Sequence, residues 1–179
     1  MAAIDDFAAL LFDEAKAFLE KAKHSSGDAK TAYLHASLLV GFCSLEAHIN
    51  AIADDFLTRP NLGLLDLSIL SEKEIILEDG RYQLADRLKM FRIEDRIDYL
   101  VNTFSTKPLD KTGSYWGDFK TALRLRNELT HPKTPPSISD ASIERALQAI
   151  IAVLNAMYRS IYQRGHPSYG LGTDTTMSI

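Results

Sequence analysis

Three side chains within six residues, Arg126, Asn127 and His131, combine the groups that phosphoryl chemistry uses. An imidazole moves a proton near neutral pH, a guanidinium holds a phosphoryl oxygen and offsets the charge that builds on it, and a carboxamide orients either partner. In principle such a set suffices for metal-free cleavage of RNA, where the adjacent 2′-hydroxyl is the nucleophile; DNA lacks that hydroxyl. One histidine is thin for acid and base work at both ends of the reaction, so two copies facing each other across a symmetric dimer would supply the second set. The plainer reading of His131, a helix-terminal side chain making a structural hydrogen bond, stays open beside it.

The element that must position these groups is the run 118–133, D-F-K-T-A-L-R-L-R-N-E-L-T-H-P-K. At roughly 100° per residue, Phe119, Ala122, Leu123, Leu129 and Thr130 share one side of a helix, and Arg126 falls near the middle of that side. A guanidinium keeps its proton, so an inward Arg126 needs a carboxylate, backbone acceptors or a wet cleft. Asn127 and His131 are four apart beside the stripe, and Pro132 stops the helix just after the histidine. The acid that answers Arg126 is sought on the longest apolar helix, about 29–58, where Glu46 sits at the edge of the stripe formed by Leu34, Leu38, Phe42, Leu45, Ile49, Ile52, Ala53 and Phe56. Glu46 is either a half-exposed carboxylate or the group that pairs with Arg126 or orients His131.

The remaining expectations bound the class. The 179 residues with 46% apolar content fit one helical domain over 1–164, with a Gly-, Ser- and Thr-rich tail at 165–179 expected to be disordered. An acidic N-terminal stretch and the lack of an apolar run near span length predict a cytoplasmic protein with no membrane partner. A net charge of -4 argues against a broad basic surface for duplex nucleic acid. Locally, Lys120, Arg124, Arg126 and Lys133 face only Asp118 and Glu128, so Lys120, Arg124 and Lys133 are candidate substrate contacts. No Cys pair, H-E-x-x-H or glycine-rich phosphate loop is present, and no metal or cofactor is expected.

Along the chain, Ile4, Phe7, Leu11, Ala15, Phe18 and Leu19 predict an amphipathic helix over 3–23, and S-S-G-D a short loop to an antiparallel neighbour. Gly41 in a helix interior implies close backbone packing, and Cys43 reads as a small buried hydrophobe. S-E-K-E-I-I-L at 71–77 predicts a short helix opened by a Ser71–Glu74 capping box, with a brief strand before Asp79-Gly80 as the alternative. Residues 84–104 return to helical spacing, their interleaved charges reading as a solvated face. Residues 105–117 form a loop in which Tyr115 and Trp116 either stack a base or staple the loop to the bundle. A last helix is expected over 141–163, capped by Ser139 or Asp140; His24 reads as a surface residue, and His166 has no evident partner. The architecture is all-α, an antiparallel bundle of four to five major helices.

The run R-N-E-L-T-H-P at 126–132 resembles the Arg-x4-6-His motif of the HEPN superfamily of small α-helical domains, and A-S-L-L-V-G-F-C-S-L-E-A-H-I-N-A-I at 36–52 resembles the long helix that carries a Glu in many members. The resemblance spans about residues 28–160. It implies a dimerising bundle in which the Arg and His helices of two subunits form a cleft, and an activity shared by many members: metal-independent RNA endonuclease in toxin-antitoxin or defence systems. Under it, His131 is the catalytic histidine, Arg126 the phosphate-binding arginine, Asn127 the supporting polar group and Glu46 the carboxylate behind them. Where one branch of such toxins has a modified Tyr two positions after the His, this chain has Lys133. Members that have lost activity and only bind proteins or nucleotides make a silent interaction module, encoded with an antitoxin or defence partner, the alternative.

Overall fold

The computed structural model describes residues 2–178; Met1 and Ile179, at the outer ends of the ranges read from the sequence, lie outside the described residues. Its described residues form six helices: α1 (Ala2–Lys23), α2 (Gly27–Asp54), α3 (Leu64–Ser71), α4 (Ile93–Phe104), α5 (Ser114–Thr130) and α6 (Asp140–Tyr162). Between α3 and α4 stands one antiparallel hairpin, β1 (Lys73–Glu78) and β2 (Arg81–Leu88). The helical reading thus holds for most of the chain, with the hairpin its exception.

The three longest helices make the centre. Ser37 Oγ donates to the Ala15 carbonyl and Ser44 Oγ to the Ala8 carbonyl, both at 2.7 Å, so α2 runs antiparallel to α1 at side-chain-to-backbone range. That closeness selects alanines. Ala8, Phe12, Ala15, Leu19 and Ala22 turn inward, while Phe7 is 54% exposed, so the buried stripe is not centred on the Ile4 and Phe7 positions that the larger side chains suggest. On the other side, a Cβ at Gly41 would lie 2.7 Å from Leu147 Cδ2 of α6, which is the close approach that a helix-interior glycine implies. Leu38, Phe42, Leu45, Ile49 and Ile52 of α2 share one buried core with Ile143, Leu147, Ile150 and Leu154 of α6. By length and apolar composition α2 does reach the size of a membrane-crossing helix, a correction to the sequence expectation; 61% of its most apolar stretch is buried in the bundle.

The hairpin corrects the reading of 71–92. Ser71 ends α3, its hydroxyl donating to the Leu67 carbonyl, and Glu74 lies in β1 paired with Arg87 at 3.0 Å, so no capping box forms. Asp79 and Gly80 both take positive φ, 50° and 74°, the two-residue turn whose twist matches antiparallel strands. Residues 84–88 therefore pair with β1 rather than open α4. A left-handed Glu72 (φ 50°) turns the chain from α3 into β1, and its carbonyl accepts from Lys89 N–H at 2.8 Å, closing the hairpin base.

Helix α5 begins at Ser114, inside the expected loop. Helix α6 opens as expected, capped by Ser139, whose Oγ accepts from Ser142 N–H. The described residues of the tail lie against the helices as a strap. His166 is buried against His48 and Tyr158, with ring centroids 4.9 and 4.7 Å apart, and its N–H donates to Asn155 Oδ1. Thr173 donates to Glu144, Thr175 N–H to Glu20, and Thr176 to Asp13. Short polar side chains with no apolar pattern reach the helices through hydrogen bonds, a signal that composition does not carry. His24 is exposed beyond α1, as a surface residue would be.

Candidate functional site

Arg126 sits in the fourth turn of α5, on a helix whose Phe119 and Ala122 side is buried against the bundle. Its guanidinium meets Glu46 of α2: Nη2 donates to Oε1 at 3.0 Å, with both side chains about a third exposed or less (28% and 32%). Nη1 donates to Asn127 Oδ1 at 3.2 Å, and the guanidinium carbon stands 5.9 Å from the centre of the Phe42 ring. Burial pushes the Glu46 carboxyl above its ordinary range despite the adjacent Arg126, which pulls it down. The misplaced arginine and the edge carboxylate thus answer each other within one chain.

His131 is the residue on which α5 ends. Its backbone N–H still donates to the Asn127 carbonyl at 2.9 Å, but its own φ and ψ (−131°, 60°) leave the helix, and the exposed imidazole stands at the helix end. A groove of about 520 Å³ runs along this end, with Lys120, Arg124, Asn127, His131 and Lys133 on its walls together with Glu94 and Glu128. A smaller cavity of about 210 Å³ is lined by Glu46, Arg126 and the 90–93 segment, and shares Glu94, Leu123 and Asn127 with the groove. The two hollows therefore adjoin at Asn127, with Glu46 and Arg126 lining one and His131 the other. Arg124 is bound to Glu128 one turn along the helix, at 2.8 Å, which leaves Lys120 and Lys133 as the cations of the groove without an ion pair among the described residues.

No family model, no curated protein and no solved structure matches this chain. The reading of these hollows therefore rests on their own residues.

Two expectations are corrected at this site. Trp116 is buried to 7% inside α5, its ring 5.3 Å from Phe119 with Lys111 Nζ over it at 4.3 Å. It fixes the start of α5 to the core and offers no face for a nucleobase, because its apolar area gains more from burial than from a solvated loop. Cys43 is exposed, one position past the buried Phe42, and partial desolvation with the Glu46 charge nearby holds its thiol above its ordinary value.

Sequence reasoning missed what lies behind Glu46. Arg96 of α4 is only 4% exposed; its Nη1 donates to Asn50 Oδ1 at 2.8 Å and meets Glu72 Oε2 at 3.0 Å. Read from the sequence, Arg96 belongs to the solvated charges of 84–104. The signal was its place next to Ile97 and four before Leu100, both fully buried, which puts it on the inner face of α4.

Proposed function

We propose that this chain is a metal-independent RNA endonuclease with a HEPN-like bundle, working as a homodimer. The observation that carries the reading is the pair of adjoining hollows that share Asn127, one holding the Glu46–Arg126 pair and the other His131 with Lys120 and Lys133 on its wall.

In this mechanism the strand lies in the groove and Arg126, with Lys120 and Lys133, holds the phosphate. The His131 imidazole of one copy takes the 2′-hydroxyl proton as the 2′-oxygen attacks phosphorus. The bond from phosphorus to the 5′-oxygen breaks, and the protonated His131 of the second copy gives that oxygen its proton. The products are a 2′,3′-cyclic phosphate and a 5′-hydroxyl. Arg126 and the Asn127 carboxamide face the charge that builds on the non-bridging oxygens, stabilisation that in such sites is worth about a hundredfold or more in rate.

The test is cleavage of a single-stranded RNA panel in EDTA by the wild type and by His131→Ala, both shown folded by circular dichroism. The wild type should release cyclic-phosphate ends, and the variant should be slower by about 10² to 10⁴. Equal cleavage by both would remove His131 from the reaction. A silent HEPN-like module that binds an antitoxin or defence protein has one observation in its favour: Glu94 and Glu128 also line the groove and lower its affinity for a polyanion. Under that reading the wild type leaves the whole RNA panel intact.

A further inference from the structure

Arg96 has a donor that the fold does not use. Its Nη1 is shared between Asn50 and Glu72, whereas the buried Nη2 meets no acceptor among the described residues. Buried donors are almost always satisfied, so an orphan on a 4% exposed guanidinium calls for an explanation. The neighbourhood supplies one. Asn50 lies one turn beyond Glu46 on the same face of α2, so the two residues hold Arg96 and Arg126 side by side. A cavity of about 20 Å³ is lined by both Glu46 and Arg96, together with Glu72 and Ile49. Only one Glu46 oxygen, Oε1, bonds Arg126.

We propose that Arg96 is a positioning residue that receives the Glu46 carboxylate when a phosphate takes Arg126. In the free protein Glu46 holds Arg126 in the smaller of the two hollows. An incoming phosphoryl oxygen competes for the same guanidinium, and a half-buried Glu46 left without a cation would be costly. Swinging across the small cavity brings it to Arg96 Nη2, so both carboxylates, Glu46 and Glu72, then share Arg96, and Arg126 turns wholly to the anion. Glu72 steadies Arg96 from the base of the hairpin, where its left-handed backbone fixes its direction.

The inference rests on the nuclease reading for the identity of the anion, and its first test does not need that reading. Arg126→Ala leaves Glu46 without its partner, so the Arg96 side-chain Nε–H resonance should shift relative to wild type. That shift should vanish in Arg126→Ala/Glu46→Gln, whose carboxamide carries no charge to hand over. An Arg96 resonance unchanged in Arg126→Ala, with the fold intact, overturns the proposal whether or not RNA is cleaved. The second test uses an uncleavable all-2′-deoxy oligonucleotide. Arg96→Met/Glu72→Gln, chosen so that no buried carboxylate is stranded, should bind it about tenfold more weakly than Glu72→Gln alone, the size of one charge-assisted hydrogen bond. The loss should be absent when Glu46→Gln is already present. Equal loss in both backgrounds would show that Arg96 supports the fold only and would also overturn the handover.

Discussion

Protons on His48 and His166 should unfold this protein, and the structure sets the size of the effect. Both imidazoles are buried (4% and 6% exposed), stand edge to face at 4.9 Å, and are enclosed by Tyr158 and the Asn155 carboxamide. His166 Nδ1 accepts from Ser168 N–H, while His48 Nδ1 has no partner among the described residues. Burial pushes each down from 6.5 to about 4, and each proton would also repel the other. The unfolded chain therefore binds more protons than the folded one between about pH 4 and 6.5, so stability falls as pH drops through that window and is fully present above it. At about 1.36 kcal/mol per pKa unit, each histidine takes about 2 kcal/mol from the fold at pH 5 relative to pH 7.5, and the pair about 4. That is a large share of the roughly 5–15 kcal/mol typical of a domain. Urea unfolding should show a midpoint about 2 M lower at pH 5 than at pH 7.5, for a slope near 2 kcal/mol per molar. His48→Gln/His166→Gln, whatever its stability at pH 7.5, should lose about 4 kcal/mol less over the same interval, and each single variant about half of that. Identical pH slopes in wild type and double variant would refute the account, because every other titrating group is common to both.

Glu46, whose carboxyl is held above its ordinary value chiefly by burial, holds its proton more tightly in the fold than in the unfolded chain. Its contribution is present below about pH 4.5 and lost as pH rises through its folded value, so the stability of Glu46→Gln relative to wild type should increase from pH 4 to 7 in parallel denaturant titrations. Trp116→Ala should cost about 3 kcal/mol in chemical denaturation and leave oligonucleotide affinity within twofold, since the ring packs against Phe119 away from the groove. Asp13→Ala removes the acceptor for Thr176, so hydrogen exchange at the Thr175 and Thr176 amides should accelerate by about tenfold while the α2 amides stay protected.

The parts of the molecule that were legible in the sequence follow one rule: strong periodicity with apolar content. Helices α2 and α6 appear within a few residues of their expected ends, and the conflict of Arg126 on an apolar stripe led to Glu46, 80 positions away. The hairpin was less legible because Ile75, Ile76 and Leu77 fit a short helix as well as a strand, and only Asp79-Gly80 decided between them. Arg96 was obscured by its neighbours Glu94, Asp95 and Asp98, which made its helix face look solvated although it sits between Glu72 and Asn50. The alanine stripe of α1 was partly hidden for a different reason. Ala15 falls on the expected stripe, whereas Ala8 and Ala22 carry too little apolar weight to show there, although the serine bonds from α2 require helices that close together. The tail was unreadable because it is held by hydrogen bonds to Asp13, Glu20 and Glu144 and by the packing of His166 on His48 and Tyr158, at separations no local pattern encodes.

The contact between Gly41 and Leu147 also sets a schedule. Helices α1 and α2 are neighbours in the chain and can close on each other as soon as both have left the ribosome, whereas α6, which covers the glycine face of α2, is more than a hundred residues later. At about 5–20 residues per second, that face waits about 5–20 s during synthesis with Leu38, Phe42, Leu45 and Ile49 not yet packed against α6. Through that interval the α1–α2 pair keeps an apolar face that a holding chaperone would recognise, and the arrival of α6 is the step that covers it.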